Sequence, residues 1–454
     1  MGQKHLTLFH TNDIHSDFRQ WPGIVRYVKE HRTKDTLFLE LGDHADRSHP
    51  ITEATEGKAN IALLNIAGVD YATIGNNEGV TFSKEQLDEL YPEATFPILL
   101  ANLLDEEGQQ TTWSSPSTIR TMDNGVKVGL FGVTAPLSHF YEKLGWTVLD
   151  LDTCIQKHVD ELRPQVDVLI LLSHLGMFKD EKIAKEVKGI DVIVGAHTHH
   201  VLLQGERINK TLIVQAGKHG HFLGEVTLTL TEENQLLSTA AVLHETKDLP
   251  ADPASKEYLE KAKHEADHIL EKPMAVLPET LPVDWYKETT ATRLLCDGVT
   301  EWCGESIGML NAGVLLSDLP KGQLTRGEIH RICPHPINPC IIRVTGEELR
   351  VTVERAASFD LINLELKGFG FRGQVLGKMI FTGIEVEYDP ENEERVTAIS
   401  ALGQPLDLEA EYKLATLDMY TFGFLYPELT DAEDKTYLMP EFLRDILAWK
   451  LNQL

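Results

Sequence analysis

Through roughly the first 240 residues, short apolar runs alternate with longer stretches of helical periodicity. The runs cover residues 6–9, 36–41, 71–74, 126–133, 168–172, 192–194 and 212–214, and residues 20–32, 52–67 and 151–162 read as helices between them. Alternation of this kind, with strands that are apolar along their whole length, predicts sheets covered by helices. Residues 252–271 read as a further helix. Asp252 can cap it, Pro253 suits its first turn, and Leu259, Ala262, Ala266 and Ile269 recur at spacings of three and four. Its few large apolar residues suit a connector better than a core element, and Pro273 ends it. Helix-like segments follow near 289–303 and 346–357, with strand-like runs at 379–388 and 411–416. A chain of 454 residues is long for one core. The pattern divides it into a first domain over 1–245, a connecting helix over 246–273 and a second domain over 274–454.

The polar residues that interrupt this pattern fall just after five of the apolar runs. The first leads to Asp13 and His15, the second to Gly42-Asp43, and the third to Gly75-Asn76-Asn77-Glu78. The run at 168–172 leads to His174, and that at 192–194 to Gly195-Ala196-His197-Thr198-His199. Loops that follow the carboxyl ends of strands in layered α/β folds collect at one edge, where ligands bind. Asp13 and His15 are two apart, as are His197 and His199, so in extended backbone each pair faces one way. Carboxylate, imidazole and amide oxygen together suit Mn, Zn, Fe or Co. Seven donors (Asp13, His15, Asp43, Asn76, His174, His197 and His199) exceed the needs of one ion. They suit two ions sharing a carboxylate, and such pairs, ~3.5–4 Å apart, clamp a phosphate and polarise an attacking water.

Composition narrows the partners. With 42 basic and 70 acidic side chains the net charge is −28, which disfavours a long nucleic acid or an anionic membrane surface. The first residues hold no signal-peptide apolar segment, and no run reaches the ~18 apolar residues of a spanning helix. Five cysteines, at 154, 296, 303, 333 and 340, include no Cys-x-x-Cys pair. That usage suits a reducing compartment and makes a cytoplasmic protein the simplest expectation. Cys296 and Cys303 are spaced as core residues of one helix. Gly368-Phe369-Gly370-Phe371-Arg372-Gly373 matches a dinucleotide fingerprint in form, but without a strand before it or a helix after it the segment reads as a loop.

The order Asp-x-His, Gly-Asp, Gly-Asn-x-Glu, Ser-His-Leu-Gly and Gly-x-His-x-His resembles the calcineurin-like metallophosphoesterases, and in particular their intracellular bacterial 5′-nucleotidase members. Thr11-Asn12-Asp13-Ile14-His15 resembles the opening motif. Gln215-Ala216-Gly217, Leu223-Gly224, Asn311-Ala312-Gly313, Leu319-Pro320-x-Gly322 and Thr345-Gly346 extend the likeness over nearly the whole chain. The resemblance implies an α/β protein: an N-terminal four-layer α/β/β/α sandwich plus a C-terminal α/β substrate domain. It also implies two divalent ions, one on Asp13, His15, Asp43 and His199 and the other on Asp43, Asn76, His174 and His197. A water or hydroxide shared by the ions would attack phosphorus in line, and the substrate would be a small phosphate ester, a nucleotide by analogy.

The chain departs from the pattern where the family carries Gly-Asn-His. Asn77 stands at the histidine, and an asparagine donates hydrogen bonds but cannot act as a general acid, a role worth ~10²–10⁴-fold. Asn77, Glu78 and His44 are the candidates for catalytic contacts, with His200, His219 and His221 behind them. In the second half Leu316 stands where the family has an arginine. Pro334-His335-Pro336-Ile337-Asn338 and Phe422-Gly423-Phe424-Leu425-Tyr426 replace the nucleoside-reading motifs. Asn311, Gly313, His335, Asn338, Phe424 and Tyr426 are the expected substrate residues. The reading is a two-metal phosphoesterase for nucleotide monoesters or for cyclic or linear diesters. Its alternatives are a catalytically weak nucleotide sensor and a phosphatase for a non-nucleotide substrate.

Overall fold

The computed structural model describes residues 2–453 and divides the chain into two units, Met1–Ala266 and Asp267–Leu454. The first unit holds two sheets face to face. One runs in the order Leu236–Glu245, Phe222–Thr231, Gln3–Thr11, Thr36–Glu40, Tyr71–Ala72, Ile98–Leu99 and Ser114–Ser115. The other runs Glu206–Ile208, Thr211–Val214, Val192–Gly195, Val168–His174, Lys127–Thr134 and Ser117–Thr121. Five strands carry the site and are labelled here in chain order: β1 (Gln3–Thr11), β2 (Thr36–Glu40), β3 (Tyr71–Ala72), β4 (Val168–His174) and β5 (Val192–Gly195). The three of the first sheet are mutually parallel, β1 on β2 and β2 on β3, and β4 is parallel to β5 in the second. Their carboxyl ends therefore point the same way within each sheet.

Alternation along each strand explains the layers. Leu6 and Leu8, Leu37 and Leu39, Ile170 and Leu172, and Val192 and Val194 meet in one buried cluster between the sheets. The intervening Leu169, Leu171 and Ile193 pack instead with Ile155, Val159 and Ile183 of the helices Leu151–Leu162 and Met177–Glu186. On the other side Phe38 of β2 stacks on Trp21 of the helix Trp21–His31. Helix, sheet, sheet and helix thus form four layers, and β4, buried at all seven positions, is apolar on both faces because both are covered.

Two details differ from the sequence pattern. The helix expected over 52–67 is broken into Pro50–Thr55 and Lys58–Ala67, because Glu56 and Gly57 both take left-handed backbone. The antiparallel pair Phe222–Thr231 and Leu236–Glu245 extends the first sheet beyond β1, although its outer strand is largely half-exposed and shows no apolar run. The helix Pro253–Leu270 follows, with Asp252 accepting from the Ser255 amide at 2.9 Å.

The second unit is built on a mixed five-stranded sheet, in the order Met379–Thr382, Ile307–Asn311, Glu411–Leu417, Pro339–Thr345 and Lys435–Tyr437. The helices Thr290–Trp302 and Leu443–Leu451 pack on each other beside it. All five cysteines are unpaired. Among the described residues no helix is long and apolar enough to cross a membrane.

Candidate metal centre

Three of the five strands, β1, β2 and β5, lead into loops with unusual backbone. Among the described residues twelve non-glycine residues have positive φ, and seven of these are Asp13, His15, Ser16, Asp43, His197, His199 and His219. Such conformations cost of order 1–3 kcal/mol each and persist only where surrounding contacts impose them. The contacts are visible. The amides of Asp13, His15 and Ser16 donate to the carbonyls of Gly42, Asp43 and His44 at 3.1, 2.8 and 2.9 Å, continuing the β1–β2 pairing past the strands. The His219 amide donates to the Asp13 carbonyl at 2.8 Å. Asn12 braces the same loop from behind: its side chain donates to Gly217 O and accepts from the Ala216 amide.

Every expected donor from the first unit arrives at one place. The carboxylates of Asp13 and Asp43 are buried. His174 Nε2 lies 3.5 Å from Asp43 Oδ1 and 4.0 Å from Asp13 Oδ1. His199 Nε2 is 3.5 Å from Asp13 Oδ1 and 3.2 Å from His15 Nε2. His15 Nε2 in turn is 3.8 Å from Asp43 Oδ2. His197 Nδ1 meets Asn76 Oδ1 at 2.8 Å, and the His197 amide donates to the Asp13 carboxylate. Two compact triads result, Asp13–His15–His199 and Asp13–Asp43–His174. Asp13 belongs to both, and Asp43 faces a histidine of each.

The donor chemistry fits divalent cations. His174 donates from Nδ1 to Leu41 O at 2.6 Å, so in the neutral ring Nε2 is a bare acceptor. That atom is fully buried, lacks a hydrogen-bond partner and points at two carboxylates. A buried acceptor beside two anions is a costly arrangement unless a cation meets all three. The electrostatics agree. Burial alone would lower the pKa of His174, yet with no ion bound Asp43 and Asp13 outweigh it and raise it to about 10, so that a proton takes the place at Nε2 that a metal cation would fill. Burial would raise Asp43, and His174 and His15 instead keep it below the usual carboxylate range. The cluster, in short, attracts positive charge.

Three residues expected at the chemistry behave differently. Glu78 is buried, and its carboxylate accepts from three backbone amides, those of Asp43, Gly75 and Ala45, at 2.8, 2.9 and 2.8 Å. It clamps the two loops that carry Asp43 and Asn76, and with its oxygens so committed it is a positioning residue and not a catalytic contact. His44 turns away from the centre into the interior. Its ring packs edge-on against Trp21, its Nδ1 lies 3.1 Å from Asn60 Nδ2, and burial lowers its pKa to about 3. It therefore cannot replace the missing general acid. Asn77 does lie at the centre, where its amide group donates to Asp43 Oδ2 at 3.1 Å and sits 2.8 Å from His15 Nδ1. Of the weaker histidine candidates, His219 alone reaches the ligands, with its ring edge-on to His15.

In the second unit most of the expected substrate residues serve the interior. The Asn311 side chain donates to Leu376 O and accepts from the Tyr420 hydroxyl at 2.6 Å. His335 is spanned by Val314 O and the Arg372 amide, both at 2.9 Å, and stacks on Phe371. Asn338 donates to Glu441 O at 2.8 Å, and Tyr426 is buried against Tyr420. Gly313 has no room for a Cβ, which would lie 2.0 Å from Val375 O. These five are corrected to structural positions, because their polar atoms are satisfied inside the domain or their surfaces are covered. Phe424 alone of the six is exposed. The sequence reading also missed Asp46, whose Oδ2 is 3.3 Å from His15 Nδ1. An acid three residues past Asp43 gave no cue of its own.

Comparison with known proteins places these features in context. The family model described as calcineurin-like phosphoesterase matches residues 6–201, and that described as 5′-nucleotidase, C-terminal domain, matches residues 273–424. The chain is 42% identical over 461 residues to an uncharacterised metallophosphoesterase, YunD, of Bacillus subtilis (strain 168), covering 99% of this chain and 100% of the relative. It is 26% identical to the 5′-nucleotidase of Bos taurus, over 85% of this chain and 75% of that protein. Among solved structures, a 5′-nucleotidase-like protein of Staphylococcus aureus in complex with alpha-ketoglutarate superposes with a TM-score of 0.71. It covers 99% of this chain and 96% of that one at 18% identity, a likeness of fold.

Proposed function

Since the chain belongs to the calcineurin-like metallophosphoesterases that carry a 5′-nucleotidase C-terminal domain, a family of hydrolases acting on phosphate esters, we propose that it is a two-metal hydrolase of nucleotide-type phosphate esters with a preference for diesters. The observation that carries the reading is the gathering of the donors into two triads that share Asp13, joined by the Asn76–His197 pair, with the buried Nε2 of His174 facing Asp13 and Asp43. Asp13, His15 and His199 would hold one ion. His174, Asn76 and His197 would hold the second, with Asp43 between them. Divalent ions held there supply Lewis acidity toward phosphate oxygens and lower the pKa of water.

What the chain's own residues contribute favours good leaving groups. Asn77 fixes the geometry of Asp43 and His15 but offers no acidic proton, and His44 is sealed inside. A nucleoside alkoxide leaving group would go without protonation, a handicap of ~10²–10⁴-fold, whereas a diester with a more acidic leaving alcohol suffers less. The interior roles of Asn311, His335, Asn338 and Tyr426 also argue against a nucleoside pocket of the usual family design.

The test is hydrolysis of an aryl phosphodiester and of a nucleoside 5′-monophosphate by metal-stripped protein with Mn²⁺ restored. Mn-dependent turnover with a ratio of aryl diester to nucleoside monophosphate well above one is the expected result. Bound metal without turnover on either substrate would refute the hydrolase reading in favour of a nucleotide sensor.

A further inference from the structure

His15 has two ring nitrogens in different surroundings. Nε2 looks inward, 3.2 Å from His199 Nε2 and 3.8 and 3.9 Å from the carboxylates of Asp43 and Asp13. Nδ1 looks away from them, toward Asp46 Oδ2 at 3.3 Å. A neutral imidazole carries one N–H, so the ring can offer a lone pair to a cation through Nε2 only if its proton stays on Nδ1. The two neighbours of Nδ1 are not equivalent in what they impose. Asn77 approaches at 2.8 Å through the same NH₂ that donates to Asp43 Oδ2, so it presents only hydrogens to the ring and pulls toward the opposite tautomer; of the two neighbours Asp46 alone can accept a proton from Nδ1. A carboxylate can only accept, so Asp46 selects the Nδ1–H form.

Asp46 is also held so that it cannot swing away. Its side chain is buried, its own amide donates to Ser16 Oγ at 2.9 Å, and its second carboxylate oxygen accepts from the Ser48 amide at 2.8 Å. Ser16 follows His15 directly and donates its amide to His44 O, so the two loops lock each other in register. The result is a preformed carboxylate–imidazole pair with its free nitrogen aimed at the donor cluster.

We infer that Asp46 is the positioning residue for the Asp13–His15–His199 site, orienting the His15 ring and keeping Nε2 open to a divalent ion. The inference rests on the two-ion reading above and adds a residue to it that does not touch the ion. Loss of a partner of this kind typically weakens metal binding 10–100-fold.

The experiment uses the full chain, stripped with a chelator and titrated with Mn²⁺ and, for its visible absorption, Co²⁺. Asp46→Ala should bind one of the two ions 10–100-fold more weakly and change the Co²⁺ spectrum. Asp46→Asn, which keeps the volume and one acceptor oxygen, should fall between Asp46→Ala and the parent. Thermal melts of the metal-free variants separate this effect from misfolding, and if Asp46→Ala does not fold, Asp46→Asn carries the comparison. Wild-type stoichiometry, affinity and Co²⁺ spectrum in a folded variant would overturn the assignment while leaving the hydrolase reading intact. A parent protein that takes up no ion would overturn both. Weakened metal binding in a protein without turnover would support the role of Asp46 and sink only the hydrolase reading.

Discussion

Gly75→Ala adds a single methyl group to the centre and should disable it without altering any charge. Gly75 ends the loop after β3 with φ −98° and ψ −174°, extended backbone that alanine adopts freely, so the substitution brings no conformational penalty of its own. The space is what forbids it. A Cβ built at this position lies 2.0 Å from Asp43 Oδ1, 2.5 Å from His174 Cε1 and 2.6 Å from the Asp43 amide. Ordinary contact begins near 3.4 Å, so the Asp43 carboxylate would have to retreat by about 1.4 Å. Neither neighbour can give way cheaply: Asp43 Oδ1 accepts from the Asn77 amide at 2.8 Å, and His174 is pinned by Leu41 O at 2.6 Å. Displacing a reacting or liganding group by ~1 Å costs on the order of 10²-fold in rate, and overpacking a tight interior costs roughly 1–3 kcal/mol. The expected outcome is a folded protein with a modestly lower melting temperature, reduced metal content and kcat/KM for an aryl diester down at least ~100-fold. Metal analysis and steady-state kinetics on the same preparation decide it. A Gly75→Ala protein within twofold of the parent in both would refute the placement of Asp43 and His174 on which the proposed site depends.

Three further perturbations probe other links. Asp43→Asn removes charge without adding volume and should abolish most turnover and lower the bound metal, as read by elemental analysis; full activity would exclude Asp43 from the centre. Asn77→His should raise nucleoside monophosphate turnover, by up to ~10²–10⁴-fold if full acid assistance returns, with the aryl diester rate little changed. Unchanged monoester kinetics would mean that position 77 does not face the leaving group. In the second unit, burial raises Asp418 to about 7, with the Asn338 amide donating to it at 3.1 Å as a partial offset. Its folded pKa exceeds the unfolded one, so the stability it confers is complete below pH ~4 and is lost as pH rises through ~7. Asp418→Asn should therefore flatten the stability–pH curve of that unit between pH 5 and 8 by up to a few kcal/mol, measured by denaturant unfolding at both pH values. An unchanged slope would show that Asp418 ionises freely in the fold.

Local pattern was enough to find the donors. Each follows a strand whose apolar run announces it, and the parallel pairing that such runs imply carries the ends to one edge. That logic used only positions near each other in the chain: a run, then a glycine or a short turn, then a carboxylate, amide or imidazole. The substitution at Asn77 was equally visible, since it changes what one side chain can donate whatever surrounds it. The tertiary structure decided which polar groups are spent on other groups. Glu78 looks like a catalytic acid in sequence, yet three amides from separate turns converge on it. His44 adjoins the central Asp43, but the turn between them sends its ring to Trp21. Asn311, His335 and Asn338 find partners between 21 and 109 residues away along the chain, and are thereby withdrawn from any ligand. Asp46 is the converse case, an ordinary acid until the register of two loops sets it beside His15. Strand periodicity tells which way a side chain faces, because it is a property of the backbone. What that side chain meets depends on the pairing of distant segments, and no local spacing records it.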